Sequence, residues 1–404
     1  MERINLNGKT ILVTGAAGFI GSNLVKRLFK DLDNATIVGI DNMNDYYDVS
    51  LKEWRLKEID SLVPEGIKYV FIKGDIASKE TVDSLFSQYK PQVVVNLAAQ
   101  AGVRYSITNP DAYIQSNLIG FYNILEACRH SMSDVRSKKE DVNAQPSALS
   151  PQPYSMSDVR CKKEDVNAQP SALSPQPYRG VEHLVYASSS SVYGGNKKVP
   201  FSTDDRVDNP VSLYAATKKS NELMAHCYSK LYNIPSTGLR FFTVYGPAGR
   251  PDMAYFGFTN KLLKGETIQI FNYGNCRRDF TYVDDIVEGI VRVMQGAPER
   301  KNGDDGLPVP PYAVYNIGGG QPENLLDFVT ILQEELVRAG VLPQDFDFEA
   351  HKQLVAMQPG DVPVTYADST ALERDFGFTP KITLREGLRR FAQWYKEYYN
   401  PAFF

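Results

Sequence analysis

Short apolar runs alternate with helical patterns through the first half of the chain. The runs lie at residues 10–14, 36–40, 69–72, 93–97, 183–187 and 237–242. Buried strands that alternate with helices are typical of βαβ units, in which helices cover both faces of a parallel sheet. The pattern therefore predicts an α/β fold with a doubly wound parallel sheet.

The second half of the chain has a different pattern. From about residue 245 the apolar runs are irregularly spaced and interrupted by Pro and Gly, and helical patterns follow at residues 324–339 and 384–399. A chain of 404 residues is long enough for one large domain and a smaller one. We predict a first domain over residues 1–244 and a smaller C-terminal α/β substrate domain over residues 245–404, part of which returns to the first.

A tandem duplication interrupts the first domain at residues 131–178. Residues 131–154 and 155–178 are the same unit twice and differ only at Ser137 and Cys161. Each copy has three Pro and few large apolar residues, so we expect both copies to be exposed and flexible.

The position of the duplication bears on function. It separates a helix predicted to end near His130 from a strand predicted to begin near Val181, and so enters at the amino end of that strand. Because ligands bind at the carboxyl ends of such sheets, the insert should leave an active site intact. A neutral insertion and a partner-docking element both stay open as interpretations.

Charge and composition exclude several classes of protein. The chain has 44 basic and 48 acidic residues and a net charge of −4, unlike the basic surface of a nucleic-acid-binding protein. Its four Cys and four His have no metal-ligand spacing, so we expect no metal site. No apolar run approaches the roughly 18 residues of a membrane span, and the first residues lack a signal-type apolar region. We expect a cytoplasmic protein with small-molecule partners.

A glycine-rich turn follows the first predicted strand and opens a helix. Gly15, Gly18 and Gly21 allow the backbone to turn tightly and approach a pyrophosphate, which the helix amino terminus stabilises. Asp41 and Asn42 end the second strand, where a carboxylate accepts from ribose hydroxyls and repels a 2′-phosphate. These residues predict a Rossmann-type domain that binds NAD rather than NADP.

Tyr214 and Lys218 carry the strongest chemical signal. They are four residues apart and therefore share one face of a helix. The ammonium of Lys218 should lower the pKa of the Tyr214 phenol, so that Tyr214 can exchange a proton with a substrate hydroxyl. Ser189, at the end of the strand 183–187, can donate to the same oxygen. An ordinary amphipathic helix with a surface Tyr and Lys is the alternative interpretation.

With these motifs the chain resembles the extended short-chain dehydrogenases/reductases, the NAD-dependent epimerase/dehydratase family. The resemblance covers nearly the whole chain except the duplicated insert. It implies further cofactor contacts after the glycine turn, after the third and fourth strands, and on the following helix, where Asn117 should be both structural and cofactor-facing. These residues are Phe19, Ile20, Asp75, Ile76, Leu97, Ala98, Ala99, Gln100 and Asn117.

The segment 188–191 reduces the number of reactions that the resemblance implies. Dehydratases of the family have an Asp-Glu pair here, and decarboxylases have a Glu at the position of Ser191, whereas this chain has four serines. The resemblance therefore implies a nucleotide-sugar 4-epimerase. In such an enzyme Tyr214 takes the O4 proton while NAD takes the hydride from carbon 4, and the 4-keto sugar receives that hydride on its other face.

Thr243 and Arg250 resemble the pair that meets the carboxylate at carbon 6 in UDP-glucuronate 4-epimerases. A guanidinium and a hydroxyl suit a carboxylate better than a hydroxymethyl group. The resemblance further implies that Arg278 binds the diphosphate, Arg104 an anionic group and Asp361 the uridine ribose.

Three alternatives to the UDP-glucuronate 4-epimerase stay open. They are a 4-epimerase for a neutral UDP-hexose, a UDP-glucuronate decarboxylase, and a catalytically silent NAD-binding scaffold that docks through the repeats. The resemblance also implies a role in polysaccharide biosynthesis. It implies a homodimer as well, in which the helices at residues 111–129 and 213–232 form an intermolecular four-helix bundle.

Overall fold

The structure is a computed structural model that describes residues 1–143, 180–304, 306–357 and 362–399. The strands, numbered in chain order, are β1 (Glu2–Arg3), β2 (Thr10–Thr14), β3 (Ala35–Asp41), β4 (Ile67–Lys73), β5 (Val93–Asn96), β6 (His183–Ser189), β7 (Ser236–Phe241), β8 (Thr243–Tyr245), β9 (Ile268–Ile270), β10 (Arg277–Tyr282), β11 (Gly296–Ala297), β12 (Lys301–Asn302), β13 (Pro308–Val309), β14 (Tyr312–Ile317), β15 (Pro322–Asn324) and β16 (Lys352–Leu354).

The α-helices, also in chain order, are α1 (Phe19–Asp31), α2 (Val49–Ser61), α3 (Lys79–Tyr89), α4 (Tyr105–Thr108), α5 (Pro110–Tyr113), α6 (Gly120–Asn143), α7 (Leu213–Tyr232), α8 (Ala254–Leu263), α9 (Val283–Met294), α10 (Leu325–Ala339), α11 (Thr370–Phe376) and α12 (Leu384–Tyr399). A π-helical segment spans Ile114–Ile119, and 3₁₀ turns span Ser190–Tyr193 and Phe271–Gly274. Among the described residues, no helix combines the length and apolar content that crossing a membrane requires.

Seven parallel strands of the described chain form one sheet, in the order β14-β7-β6-β5-β2-β3-β4. Six of them coincide with the apolar runs of the sequence, so the prediction of a doubly wound parallel sheet is confirmed. The chain runs outward from β2 through β3 to β4, and outward from β5 through β6 to β7. The direction of winding therefore reverses between β2 and β5, which opens a crevice at the carboxyl ends of these strands.

Alternate residues of the central strands pack into cores on opposite faces of the sheet. Ile11 and Val13 of β2 lie in the core that also contains residues of α1 and α9. Leu12, between them, packs in the core formed with residues of α3, α6 and α7. Both faces are thus buried, which explains why these strands are continuous apolar runs rather than alternating ones.

A smaller sheet lies in the C-terminal part of the chain. Its central strand β10 pairs in parallel with β8 and antiparallel with β15. The strands β9 and β16 pair in parallel as a separate two-stranded sheet. The chain also returns to the large sheet, because β14 pairs in parallel with β7 along its whole length.

The ends of the duplicated insert meet at the amino end of β6. The Ser131 hydroxyl accepts a hydrogen bond from the Val181 amide at 3.3 Å, so the chain leaves and re-enters the fold at one place. Ser189, which is predicted to act in catalysis, lies at the opposite, carboxyl end of β6. The predicted end of the preceding helix near His130 is wrong, because α6 continues to Asn143.

The physical reason for the longer helix is in the sequence. The first repeat has neither Pro nor Gly before residue 144, so nothing in its backbone stops the helix. Residues 131–143 of the first repeat therefore continue α6, and the flexibility of the repeat stays a prediction. For residues 144–178 it lies outside the described part of the chain.

A buried histidine begins the strand β6. His183 is completely buried, its Nδ1 is 3.4 Å from the Met294 carbonyl oxygen, and its Nε2 is 2.8 Å from the Thr237 hydroxyl. Burial lowers the pKa of His183 from 6.5 to about 4, and the Met294 carbonyl offsets only part of this effect.

Stability should therefore fall as the solution becomes mildly acidic. The unfolded chain binds a proton at His183 below pH 6.5 and the folded chain only near pH 4, so protonation favours unfolding between these values. Between pH 7 and pH 5 we expect His183 to cost about 2 kcal/mol of unfolding free energy. Urea titrations of His183→Gln at pH 7 and pH 5 should show a loss of unfolding free energy that is smaller than the wild-type loss by about this amount. His226→Gln, at an exposed position, should keep the wild-type difference; equal losses in all three proteins would contradict the assignment.

Candidate active site

A pocket opens at the carboxyl ends of β2, β3, β5 and β6. The residues predicted to bind a cofactor or to act in catalysis come together in its wall, although they are distant in sequence. Those that line it are Gly15, Gly18, Phe19, Ile20, Gly21, Asp41, Asn42, Asp75, Ile76, Leu97, Ala98, Ala99, Gln100, Ser189, Tyr214, Lys218 and Arg250. Residues that the sequence interpretation missed also line it, among them Asn44, Tyr46, Tyr47, Lys52, Ser116, Ser188 and Met253.

The glycine turn between β2 and α1 fits a pyrophosphate. Gly15 has a φ of 70°, and a Cβ there would lie 2.9 Å from the amide nitrogen of Ala98. A Cβ on Gly21 would lie 2.1 Å from the carbonyl oxygen of Gly15. Only glycine allows this close approach. Gly18 caps α1 without a side-chain hydrogen bond, so the first amides of the helix face the pocket's rim with their positive dipole end available to a phosphate.

The carboxylate expected to bind a ribose lies at the end of β3. Asp41 is buried, and its Oδ1 accepts from the Met43 amide at 2.9 Å. Lys52 of α2 lies 3.5 Å from the same carboxylate, and its Nζ donates to Asn44 at 3.0 Å. Burial lowers the pKa of Lys52, and the charge of Asp41 opposes that effect. No motif marks Lys52 in the sequence, because its role depends on how α2 packs against β3.

The neighbouring positions after β3 and β4 are joined directly. The Asn42 amide donates to Asp75 at 3.1 Å, and the other oxygen of Asp75 accepts from the Ala77 amide at 2.8 Å. Two strand ends that are 33 residues apart in sequence therefore form one polar edge of the pocket.

Tyr214 and Lys218 lie on the first turns of α7. Ser212 caps this helix by accepting from the Ala215 amide at 3.1 Å, which places Tyr214 at the pocket. The Nζ of Lys218 donates to the Ala187 carbonyl at the end of β6, at 3.0 Å. Burial lowers the pKa of Lys218 to about 8.

The prediction that Lys218 lowers the pKa of Tyr214 is wrong when only the groups of the protein act on the phenol. Burial raises the pKa of Tyr214, and a hydrogen bond from Ser189 and the charge of Arg250 offset only part of the rise. The desolvation cost of a phenolate in the pocket thus exceeds the stabilisation that the side chains supply.

A buried ion pair supports the end of β6 behind the pocket. Glu222 of α7 accepts from Arg240 of β7 through two hydrogen bonds of 2.8 and 2.9 Å, and from the Ser188 hydroxyl at 2.7 Å. Burial raises the pKa of Glu222, but the hydrogen bond and charge of Arg240 outweigh it, so the carboxylate stays ionised. Glu222 therefore fixes the strand end that carries Ser189 relative to the helix that carries Tyr214.

Asn117 ties the segment after β5 to α7. It is buried in the π-helical segment, where its oxygen accepts from the Gln100 amide at 2.8 Å and its nitrogen donates to Thr217 at 3.0 Å. The predicted regular helix over residues 111–129 is therefore wrong at its start, where the π turn presents this amide. Asn117 has the structural role expected of it, but Ser116 rather than Asn117 lines the pocket.

Arg250 reaches the pocket from the loop after β8. Its Nε donates to Asp252 at 3.0 Å and its Nη2 to the other oxygen of Asp252 at 2.7 Å. The Tyr46 hydroxyl also donates to Asp252, at 3.2 Å. The charge of Arg250 acts on Tyr214, so the guanidinium and the phenol belong to one site.

A completely buried arginine holds this loop against the glycine turn. Arg55 of α2 donates to the carbonyl of Ala248 at 3.0 and 2.7 Å and to that of Gly249 at 3.1 Å. It also donates to the carbonyl of Ala17 in the glycine turn, at 3.0 Å, and to the hydroxyl of Tyr47, at 2.7 Å. Sequence reasoning missed Arg55, because its partners are backbone groups of distant segments.

Other predicted substrate contacts lie outside the pocket wall. Thr243 pairs with β10, and its neighbour Val244 lines the pocket instead. The Arg104 guanidinium lies 5.0 Å from the centre of the Phe271 ring. Arg278 donates to the Pro363 carbonyl at 3.1 Å. These three residues stay predicted substrate contacts, and Asp361 lies outside the described residues.

Residues 11–318 match the NAD dependent epimerase/dehydratase family. The chain belongs to this family. The structural likeness extends over almost the full length of a family member, the UDP-glucuronic acid 4-epimerase from Bacillus cereus in complex with UDP-glucuronic acid and NAD. That structure superposes with a TM-score of 0.72 at 28% identity, over 96% of this chain and 100% of the other.

Two relatives are similar to this chain in sequence but differ in the share of their own length that the similarity covers. Protein CapI of Staphylococcus aureus is 45% identical over 396 residues, which are 96% of this chain and 99% of CapI. UDP-glucuronate 4-epimerase 4 of Arabidopsis thaliana is 41% identical over 400 residues, which are 98% of this chain and 77% of the plant protein.

Removal of the Arg55 guanidinium should destabilise this family member. Arg55→Met preserves bulk but leaves three buried carbonyls without their donor, and we expect a loss of about 3 kcal/mol in unfolding free energy. Arg55→Lys should lie between Arg55→Met and the wild type. Guanidinium titrations measure the effect, with Arg206→Met at a highly exposed position as the control. Equal stability of Arg55→Met and this control would refute the role.

Proposed function

We propose that this protein is an NAD-dependent 4-epimerase that interconverts UDP-glucuronate and UDP-galacturonate. The observation that carries the proposal is the Arg250 guanidinium in the same pocket as Tyr214, Lys218 and Ser189. A planar cation beside a proton-transfer site suits a sugar that has a carboxylate next to its reacting carbon. The family relatives named as UDP-glucuronate 4-epimerases support the same substrate.

The cofactor site is the pocket wall from the glycine turn to Asp41 and Asp75. The close approach at Gly15 and Gly21 and the carboxylate of Asp41 fit the pyrophosphate and the ribose of NAD. When bound, NAD supplies a reversible acceptor for the hydrogen on carbon 4 and a positive charge that favours the phenolate of Tyr214.

The side chains supply the proton transfer. Tyr214 accepts the proton of the sugar O4 while carbon 4 is oxidised to the ketone, and Ser189 donates a hydrogen bond to the same oxygen. Return of the same hydrogen to the other face of the 4-keto sugar, and of the proton from Tyr214 to O4, inverts carbon 4. Lys218, held by the Ala187 carbonyl, supplies a nearby cation when it is protonated.

The placement of acidic groups favours epimerisation over elimination or decarboxylation. The carboxylates in the described pocket wall are those of Asp41 and Asp75, at the ends of β3 and β4. The end of β6 offers Ser188 and Ser189, and Glu222 behind them is paired with Arg240 and does not line the pocket. An acid-base pair beside the sugar, which dehydration requires, is thus missing among the described residues.

We propose that residues 245–404 supply most of the nucleotide-sugar contacts, and residues 1–244 the NAD site. We also propose a cytoplasmic location and a role in polysaccharide biosynthesis, in keeping with a nucleotide-sugar substrate. A silent NAD-binding scaffold is the alternative outside enzymes, and the presence of both Tyr214 and Lys218 in one pocket favours the enzyme.

Turnover should be visible by NMR of the anomeric protons. The purified protein, incubated with UDP-glucuronate, should produce UDP-galacturonate without added NAD, because the cofactor is regenerated in each cycle and is expected to copurify. Tyr214→Phe should reduce kcat by at least about a thousandfold, because it removes the proton acceptor. Its bound NAD should stay at the wild-type level, which absorbance after denaturation measures.

Other products would identify one of the alternative functions. UDP-xylose would identify a decarboxylase, and conversion of UDP-glucose without conversion of UDP-glucuronate would identify a neutral-sugar epimerase. Full activity in Tyr214→Phe would refute the role of the phenol.

A homodimer through the region of α6 and α7 is a further part of the proposal. Its support is apolar surface on both elements: Tyr122 is 44% exposed, and Leu223 and Leu231 are 60% and 65% exposed. Exposed large apolar groups on adjacent helices are typical of an interface.

Light scattering should give the mass of a dimer for the wild type. Leu223→Glu would bury a charge in each copy of the interface, so the dimer dissociation constant should rise at least about tenfold. Leu62→Glu, at the exposed end of α2, is the matched control and should leave the mass unchanged. A monomeric wild type would rule out the dimer.

A further inference from the structure

The guanidinium of Arg250 is already paired with a carboxylate of the protein. The carboxylate of Asp252 accepts from Nε and Nη2 through its two oxygens, and its Oδ2 also accepts from the Tyr46 hydroxyl. Paired, parallel hydrogen bonds of this kind hold a guanidinium in one plane. The orientation of Arg250 is therefore set by Asp252 and not by the pocket alone.

The pairing leaves one end of the guanidinium for a ligand. Nη1 makes no hydrogen bond to a residue in the described ranges, and Arg250 lines the pocket whereas Asp252 does not. Asp252 thus binds the edge formed by Nε and Nη2, and it leaves Nη1 without a protein partner among the described residues. A second carboxylate can meet Arg250 at Nη1 without displacing the first.

The charge of Asp252 then works against such a second carboxylate. The pair of Arg250 and Asp252 has no net charge, and an incoming carboxylate is attracted by the guanidinium but repelled by Asp252. A neutral hydroxymethyl group experiences neither effect. Both side chains are partly exposed, with 25% and 31% of their side-chain surfaces accessible, so solvent screens the repulsion without removing it.

We propose that Asp252 is a specificity-determining residue that orients Arg250 and weakens the preference of the pocket for a uronate over a neutral hexose. This inference rests on the proposed function, because it assumes that Arg250 meets the carboxylate at carbon 6. Substrate and product of the proposed reaction both have that carboxylate. A stronger interaction of Arg250 with that carboxylate would stabilise bound substrate and bound product equally. It would therefore lower KM without raising kcat.

The variant Asp252→Asn distinguishes the effect of the Asp252 charge from the effect of Asp252 on the orientation of Arg250. The asparagine keeps an oxygen that accepts from Arg250 but removes the negative charge. Calorimetry of NAD-loaded protein in the Tyr214→Phe background gives Kd values for UDP-glucuronate and UDP-glucose without turnover. We expect the Kd of UDP-glucuronate to fall about fivefold, with that of UDP-glucose changed less than about twofold. In the otherwise wild-type enzyme, the KM for UDP-glucuronate should fall while kcat does not rise.

Two further variants serve as controls. Asp252→Ala removes the orienting acceptor as well as the charge, so its gain in UDP-glucuronate affinity should be smaller than that of Asp252→Asn. Asp83→Asn removes the same formal charge from the exposed surface of α3, where Asp83 pairs with Lys79. It should leave both Kd values unchanged.

The outcomes separate this inference from the proposed function. If the wild type converts UDP-glucuronate but Asp252→Asn binds it more weakly, or shifts both ligands equally, Asp252 is only a structural support and the inference is overturned. If the wild type neither binds nor converts UDP-glucuronate, the proposed function fails and the inference fails with it. A selective gain for UDP-glucuronate supports both.

Discussion

The buried guanidinium of Arg55 is the interaction on which the geometry of the site depends. It joins the glycine turn, through Ala17, to the loop that carries Arg250, through Ala248 and Gly249. These segments are distant in sequence, and Arg55 bonds to both of them. Because an unsatisfied buried carbonyl is costly, the position of one loop constrains the position of the other. Ala248, at a positive φ of 51°, keeps a conformation that isolated alanine disfavours.

A second buried polar network joins the elements that carry Tyr214 and Ser189. Glu222 and Arg240 connect α7, β6 and β7 beneath the serines, and Arg240 also donates to Tyr193 at 3.0 Å. Every charge in this network has several partners, which is the condition under which a buried ion pair can be retained. The helix that carries Tyr214 and the strand end that carries Ser189 are thus fixed to one another.

The electrostatics of the pocket act differently on the pKa values of Tyr214 and Lys218. Burial alone pushes Tyr214 toward its neutral form and lowers the pKa of Lys218 to about 8, near the physiological range. Arg250 is the fixed cation that acts on Tyr214, and Asp252 moderates it. A similar pair of opposite charges lies where the ribose is expected to bind, because the ammonium of Lys52 is 3.5 Å from the carboxylate of Asp41.

Local sequence determined the sheet, the glycine turn, the strand-end Asp41 and the spacing of Tyr214 and Lys218. Each follows from periodicity or from a backbone requirement that only particular residues meet, so most of the pocket wall could be named in advance. The π turn at Asn117 could not, because hydrogen bonds to Gln100 and Thr217 in other segments decide it. The length of α6 agrees with the lack of Pro and Gly in residues 131–143, although the predicted end near His130 was too early. Asp252 lies only two residues from its partner Arg250, but its contact with Tyr46 depends on tertiary structure. The roles of Arg55 and Lys52 were likewise decided by tertiary structure, because their partners are backbone groups or charges of other segments, and no spacing along the chain records those contacts.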